Sequence, residues 1–302
     1  MSAQADSLKS ILFALGANLA IAIAKSAGAY FTGSASMLAE AIHSFADCGN
    51  QALLIWGLKE AKRASSPDHP LGYGRAIYFW SFIVALMLFS MGGLFSIYEG
   101  AHKLSSNEPV QYAWVAVAIL AFGVVAESVS LWGALREINK ERGTLSLWQW
   151  FRTSRQSELL VIFGEDLAAL GGLALALCFI ALAMVTGNPM WDAVGSICIG
   201  VLLVLVALLV GIEVKALLVG QSADPQVVAN MREHLESQPQ IAQIYSLITQ
   251  QMGSDIMVAV KARMNPLGSE VALIGGINAA ERSLRTAFPH VRWIFFEPDL
   301  ED

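Results

Sequence analysis

Charged side chains are scarce in this sequence. Asp, Glu, Lys and Arg make up 15% of the 302 residues, against 55% hydrophobic residues. A soluble globular chain carries roughly 25% charged residues, so this balance excludes an ordinary soluble domain and points to a membrane. Cysteine is scarcer still. Cys48, Cys178 and Cys198 fall in apolar runs and form no CxxC pair, which excludes a disulfide framework and a thiolate metal centre and makes them small packing residues. A basic stripe is lacking as well: the net charge is -6, and a nucleic-acid partner is excluded on that ground. The N-terminus lacks the marks of a cleavable signal peptide, because Asp6 and a single Lys9 precede an apolar segment longer than an h-region, with no small-residue cleavage site.

Long apolar runs are what the sequence does have. Residues 76–98, 167–191 and 193–212 are almost free of charge, and each is long enough for the roughly 20 residues of a spanning helix. Residues 8–31, 35–58 and 112–135 read as three further spans that carry polar groups, Lys25 in the first and Glu127 in the third. Six spans result. Lys59, Lys62, Arg63 and Arg75 follow span two, and Arg136, Lys140, Arg142, Arg152 and Arg155 follow span four, whereas the other turns hold almost none, Lys103 being the exception. Positive residues mark the cytoplasmic side, so both termini are expected there. The stretch 136–155, with Trp148, Trp150 and Phe151 among its charges, reads as an interfacial amphipathic segment.

Composition changes at Gly220. Residues 1–219 read as the six-span transmembrane domain and residues 220–302 as a small cytoplasmic α+β domain. In the latter, Ser222 or Asp224 can cap a helix with Pro225 in its first turn. Strands are expected over 241–252 and 256–264 around Gly253, Ser254 and Asp255, then a helix with Ser269 as its cap, then a strand over 291–297. No phosphate loop or catalytic triad signature occurs in this tail, and no enzymatic role is expected.

The stretch AEAIHSFADCGNQ, residues 39–51, puts Glu40, His43, Asp47 and Asn50 at spacings of three, four and three, which is one face of a helix. An imidazole nitrogen and a carboxylate oxygen one turn apart can reach a common ion at about 2 Å from each. In FGEDLAALGG, Glu165 and Asp166 supply a second pair of acids beside small residues that let another helix approach. Ionisable groups at membrane depth are rare and usually functional. Glu127 reads as a proton carrier or as a paired carboxylate, and Glu40 as a support for His43. Met87 and Met91 read as packing residues, since thioethers suit copper better than zinc. A mixed nitrogen and oxygen site suits zinc, cobalt, iron(II) or manganese better than magnesium or calcium. An intramembrane metalloenzyme is disfavoured, because Glu40-xx-His43 is not the HExxH arrangement.

The run NLAIAIAKSAGAYFTGSASMLAEAIHSFADCGNQ, then DHPLGYGR, then GQSADP resembles the cation diffusion facilitator family over essentially the whole chain. The run DHPLGYGRAIYFWSF and the loop without a histidine tract between spans four and five resemble the branch of the mitochondrial zinc transporter nine. The resemblance implies a bacterial member in the inner (cytoplasmic) membrane, a homodimer of six-helix protomers in the lipid bilayer, a ferredoxin-like cytoplasmic tail, and exchange of a divalent cation for protons. Zinc is the ion it implies, with manganese, iron(II) and cobalt chemically compatible. It also implies His43 and Asp47 as ligands from span two and Asp166 from span five. Ile162 stands where the family has a span-five histidine, so Glu165 is the expected replacement, although it lies about 100° around the helix. Asp68 and His69 match part of the family's loop site, followed here by Tyr73 and Arg75. In the tail only His234 and His290 remain of the histidines that hold metal in relatives, with Lys261 and Arg263 on the strand. The loss of these histidines leaves a second reading open, a non-transporting scaffold or sensor that kept the fold.

Overall fold

The computed structural model describes residues 18–105 and 112–301. Six helices form the bundle. The first, α1, is helical over residues 18–32, and the start of the span expected at 8–31 lies outside the described residues. It is followed by α2 (Ala35–Ala61), α3 (Ala76–Lys103), α4 (Ala113–Glu141), α6 (Ser157–Thr186) and α7 (Met190–Val219), with a short helix α5 (Leu147–Thr153) between α4 and α6. By length and composition α3, α4, α6 and α7 can each cross a membrane. The polar stripe takes α2 out of that set, yet α2 belongs to the same bundle. One continuous core draws Ala29 from α1, Met37 from α2, Leu88 from α3, Leu120 from α4, Leu173 from α6 and Leu203 from α7.

Helix ends follow local chemistry. Gly33 takes φ 63, the left-handed conformation that glycine adopts without a Cβ penalty, and its N–H closes the last turn of α1 on Ala29 O at 2.9 Å. The start of α2 is capped twice. Ser34 Oγ accepts from Met37 N at 3.1 Å, and Asp192, at the head of α7, accepts from Ser34 Oγ and Ala35 N, both at 2.6 Å. Asp192 is fully buried, and Lys103 at the end of α3 pairs with its Oδ2 at 3.2 Å. The cation that broke the loop asymmetry is thus held by a buried acid.

The charge-free run at 167–191 does not give the ends of its helix. The fifth helix begins at Ser157, ten residues before the charge-free run at 167–191. It ends at Thr186, where Gly187 turns at φ 66, and Trp191 belongs to α7. A window of low charge marks where a helix can face lipid, whereas Glu165 and Asp166 are helical and buried inside the bundle. Within α3, residues Leu88–Leu94 form a π-helical turn. Next to it α3 and α7 approach backbone to backbone: a Cβ on Gly93 would collide with Val204, and one on Gly100 with Ala193 O. Small residues make such close crossings available in a membrane. The outer face of α4 presents Phe122, Val125, Val129 and Trp132, as a lipid-facing helix should.

The described residues form two compact units, the first made of residues 18–56, 80–105, 112–147 and 158–214 and the second of 57–79, 148–157 and 215–301. In the second, α8 (Pro225–Glu236) starts on Asp224, whose side chain accepts from Gln226 N and Val227 N. Strand β1 (Ile241–Met252) pairs antiparallel with β2 (Asp255–Met264), and α9 (Glu270–Ala287), capped by Ser269, carries the chain to β3 (Val291–Pro298), parallel to β2. The sheet order is β1-β2-β3. Met231, Leu235, Ile244, Val258, Val260 and Leu284 make its core. Within the same unit the loop before α3 meets the β1–β2 turn. Tyr78 Oη accepts from Gly253 N at 2.9 Å, and Gly74 abuts Met252 O so closely that no side chain would fit.

Candidate metal site

The four polar residues of α2 do share one face, and α6 meets it. His43 is completely buried, and its Nδ1 lies 3.5 Å from Asp47 Oδ1, one turn on. One further turn on, Asn50 Nδ2 donates to Glu165 Oε1 of α6 at 2.5 Å. Neighbouring Asp166 points another way and accepts from Ser130 Oγ of α4 at 3.0 Å. Three helices therefore hold the polar groups. The π-helical turn of α3 closes the cluster beside His43, since a side chain on Gly92 would reach His43 Nδ1; π-turns often occur at functional places in helices.

Several buried atoms in this cluster have no hydrogen-bond partner: both ring nitrogens of His43, Asp47 Oδ1, Asn50 Oδ1 and Asp166 Oδ2. Burying such groups unpaired costs free energy, and native structures rarely tolerate it without a compensating ligand. These five atoms, the two nitrogens of one imidazole and three oxygens within two turns of α2 and one residue of α6, are a mixed nitrogen and oxygen donor set, which matches a borderline divalent cation. Among the described residues, no three His, Cys, Asp or Glu side chains converge closely enough to enclose an ion. The residues stand as pairs, and enclosure requires side-chain rotation.

The remaining candidates fall elsewhere. Glu127 of α4 is half-buried one turn before Ser130 and acts electrostatically on Asp47 and His43. Glu40 is paired with Lys25 Nζ of α1 at 3.1 Å. Asp68 and His69 lie exposed in the loop before α3, where the His69 ring stacks on Tyr73 at 4.4 Å between centroids. In the tail, His234 Nε2 shares a hydrogen bond with Ser283 Oγ at 2.9 Å, and His290 is exposed in the turn before β3. Ile162 is one turn before Asp166 on α6, where it adds no donor. Sequence reasoning missed Ser130 and the partner of Lys25. The first could have been found from its place three residues after Glu127, on the same face of α4.

The description "Cation efflux transmembrane domain" fits residues 11–219. The chain belongs to the cation diffusion facilitator family. Among its relatives in this family, the "Proton-coupled zinc antiporter SLC30A9, mitochondrial" of Xenopus laevis is 38% identical over 226 residues, 74% of this chain and 40% of that protein. The "Metal tolerance protein C4" of Arabidopsis thaliana is 30% identical over 231 residues, 75% of this chain and 50% of that protein. The "Magnetosome protein MamB" of Magnetospira sp. (strain QH-2) is 23% identical over 270 residues, 86% of this chain and 84% of that protein. The chain thus spans half or less of the length of the first two. The cation diffusion facilitators are membrane transporters and not enzymes.

Proposed function

We propose that the chain exports a divalent transition-metal cation, zinc foremost, in exchange for protons, with His43, Asp47 and Asp166 as ligands and Glu165 as the fourth. The carrying observation is the set of unpartnered atoms on His43, Asp47 and Asp166, buried together in a helical bundle of a cation-efflux family. Glu165 is held by Asn50 through one oxygen, which leaves the other for an ion once side chains rotate. Asp68 and His69 form a weaker second position in the loop. Metal binding requires a neutral imidazole and ionised carboxylates, so an arriving ion displaces protons and arriving protons displace the ion. His43, of a residue type that titrates near neutral pH, supplies the proton step, with Glu127 as a nearby carrier. The Xenopus relative is named a proton-coupled zinc antiporter, which supports this direction of coupling.

The working assembly is a homodimer in the cytoplasmic membrane with both termini inside, residues 1–219 spanning the bilayer and 220–302 forming the cytoplasmic domain. The clustering of Lys and Arg after spans two and four supports this orientation. Replacing Asp47 by Ala is expected to abolish zinc uptake into inside-out vesicles while the purified protein stays folded, and retained uptake would remove Asp47 from the ligand set. A second reading, a scaffold or sensor that binds metal without moving it, draws on the absence of a ready-made three-residue enclosure among the described residues. The same vesicles separate the two, because a sensor binds zinc and shows no flux.

A further inference from the structure

One buried carboxylate of the α2 stripe stands outside the proposed ligand set. Glu40 is completely buried, as is Lys25, and the Lys25 ammonium donates to Glu40 Oε2 at 3.1 Å and to Ser44 Oγ at 2.8 Å. Gly123 of α4 faces the Lys25 Cε, so the stem lies between helices. The other oxygen, Glu40 Oε1, has no hydrogen-bond partner. It points at Gly172 of α6, where any side chain would overlap it. Glu40 sits three residues before His43, on the same face of α2. Both Glu40 and Lys25 act electrostatically on His43 and Asp47.

A fully buried ion pair is a weak stabiliser, because desolvating two charges offsets most of their attraction. Its location gives it a different use. If Glu40 were unpaired, its bare oxygen would add a fourth carboxylate to Asp47, Glu165 and Asp166, and an oxygen-rich shell is what calcium takes. We propose that Lys25 is a tethered counter-cation that determines ion selectivity: it neutralises Glu40 and holds it out of the ion's shell, leaving the mixed nitrogen and oxygen set that favours a transition metal. This rests on the ligand set proposed above. Lys25 is a positioning residue, acting on the ion through Glu40.

The test is zinc and calcium binding to the purified full-length protein in detergent, by titration calorimetry. Wild type binds zinc and not calcium. Lys25→Met frees Glu40, so zinc binding holds or tightens and calcium binding appears at about millimolar concentration. Glu40→Gln keeps the Lys25 hydrogen bond but leaves the ammonium uncompensated beside a dication, so zinc weakens by about tenfold or more. The double variant K25M/E40Q returns zinc affinity to within about threefold of wild type, without calcium binding. Equal weakening in both single variants with no gain of calcium overturns the proposal and makes the pair merely structural. Should Lys25→Met fail to fold, the comparison of K25M/E40Q with Glu40→Gln decides: zinc affinity restored in the double variant supports the proposal, and a double variant no better than Glu40→Gln overturns it. A wild type that binds no zinc overturns the ligand set itself, an outcome distinct from zinc binding that the two variants alter alike.

Discussion

Asp166 shows in one side chain how the site is built: Ser130 fixes one oxygen and the other is bare. Hydrogen bonds that orient a ligating carboxylate typically matter by 10–100-fold in metal affinity. Ser130→Ala is expected to weaken zinc binding by about tenfold with little change in the thermal midpoint; calorimetry on the purified protein checks it, and an unchanged affinity would show that Asp166 needs no such support. Asp192 is the structural counterpart, tying the head of α7 to the start of α2 and to Lys103. Removing one partner of a buried pair leaves an uncompensated charge, a loss of about 3–5 kcal/mol. Asp192→Ala should therefore lower the unfolding midpoint of the detergent-solubilised protein far more than Ser130→Ala, and equal midpoints would contradict this role. At this scale the sequence displayed the shared face of Glu40, His43, Asp47 and Asn50, since spacing along one helix shows it. It could not display Lys25 with Glu40 or Ser130 with Asp166, because no periodicity relates residues on different helices.

Among the elements, those whose ends are written in local chemistry were legible. Asp224 and Ser269 cap α8 and α9, and Gly253 turns β1 into β2, each where turn and capping residues placed it. The charge-free run gave neither end of the fifth helix, whose backbone stays helical from Ser157 through the buried Glu165 and Asp166 to Thr186. The π-helical turn of α3 left no mark beyond the pair Gly92 and Gly93, and glycine pairs have many uses. Contact between α3 and α7 depends on Gly93, Gly100 and Gly200, which leave no space for a Cβ. Gly93→Leu forces these helices apart. The expected result is a midpoint well below wild type and loss of zinc flux, measured by thermal unfolding and vesicle uptake. A wild-type midpoint would mean that the seam can open without cost.

For the molecule as a whole, low charge and long apolar stretches sufficed to read a helical membrane bundle followed by a small α+β domain. The arrangement of the helices could not be read, and that arrangement is what brings α4 to the site and α1 to Glu40. We propose that the buried, unpartnered groups on α2 and α6 hold a moving ion. The most direct test is simultaneous recording of metal flux and proton movement in proteoliposomes of the purified protein, with zinc, manganese, iron(II) and cobalt offered in turn. Zinc flux with opposite proton movement, both lost in His43→Ala, is the predicted result. Folded protein that moves none of the four metals would contradict the claim and leave the cluster as a binding site without transport.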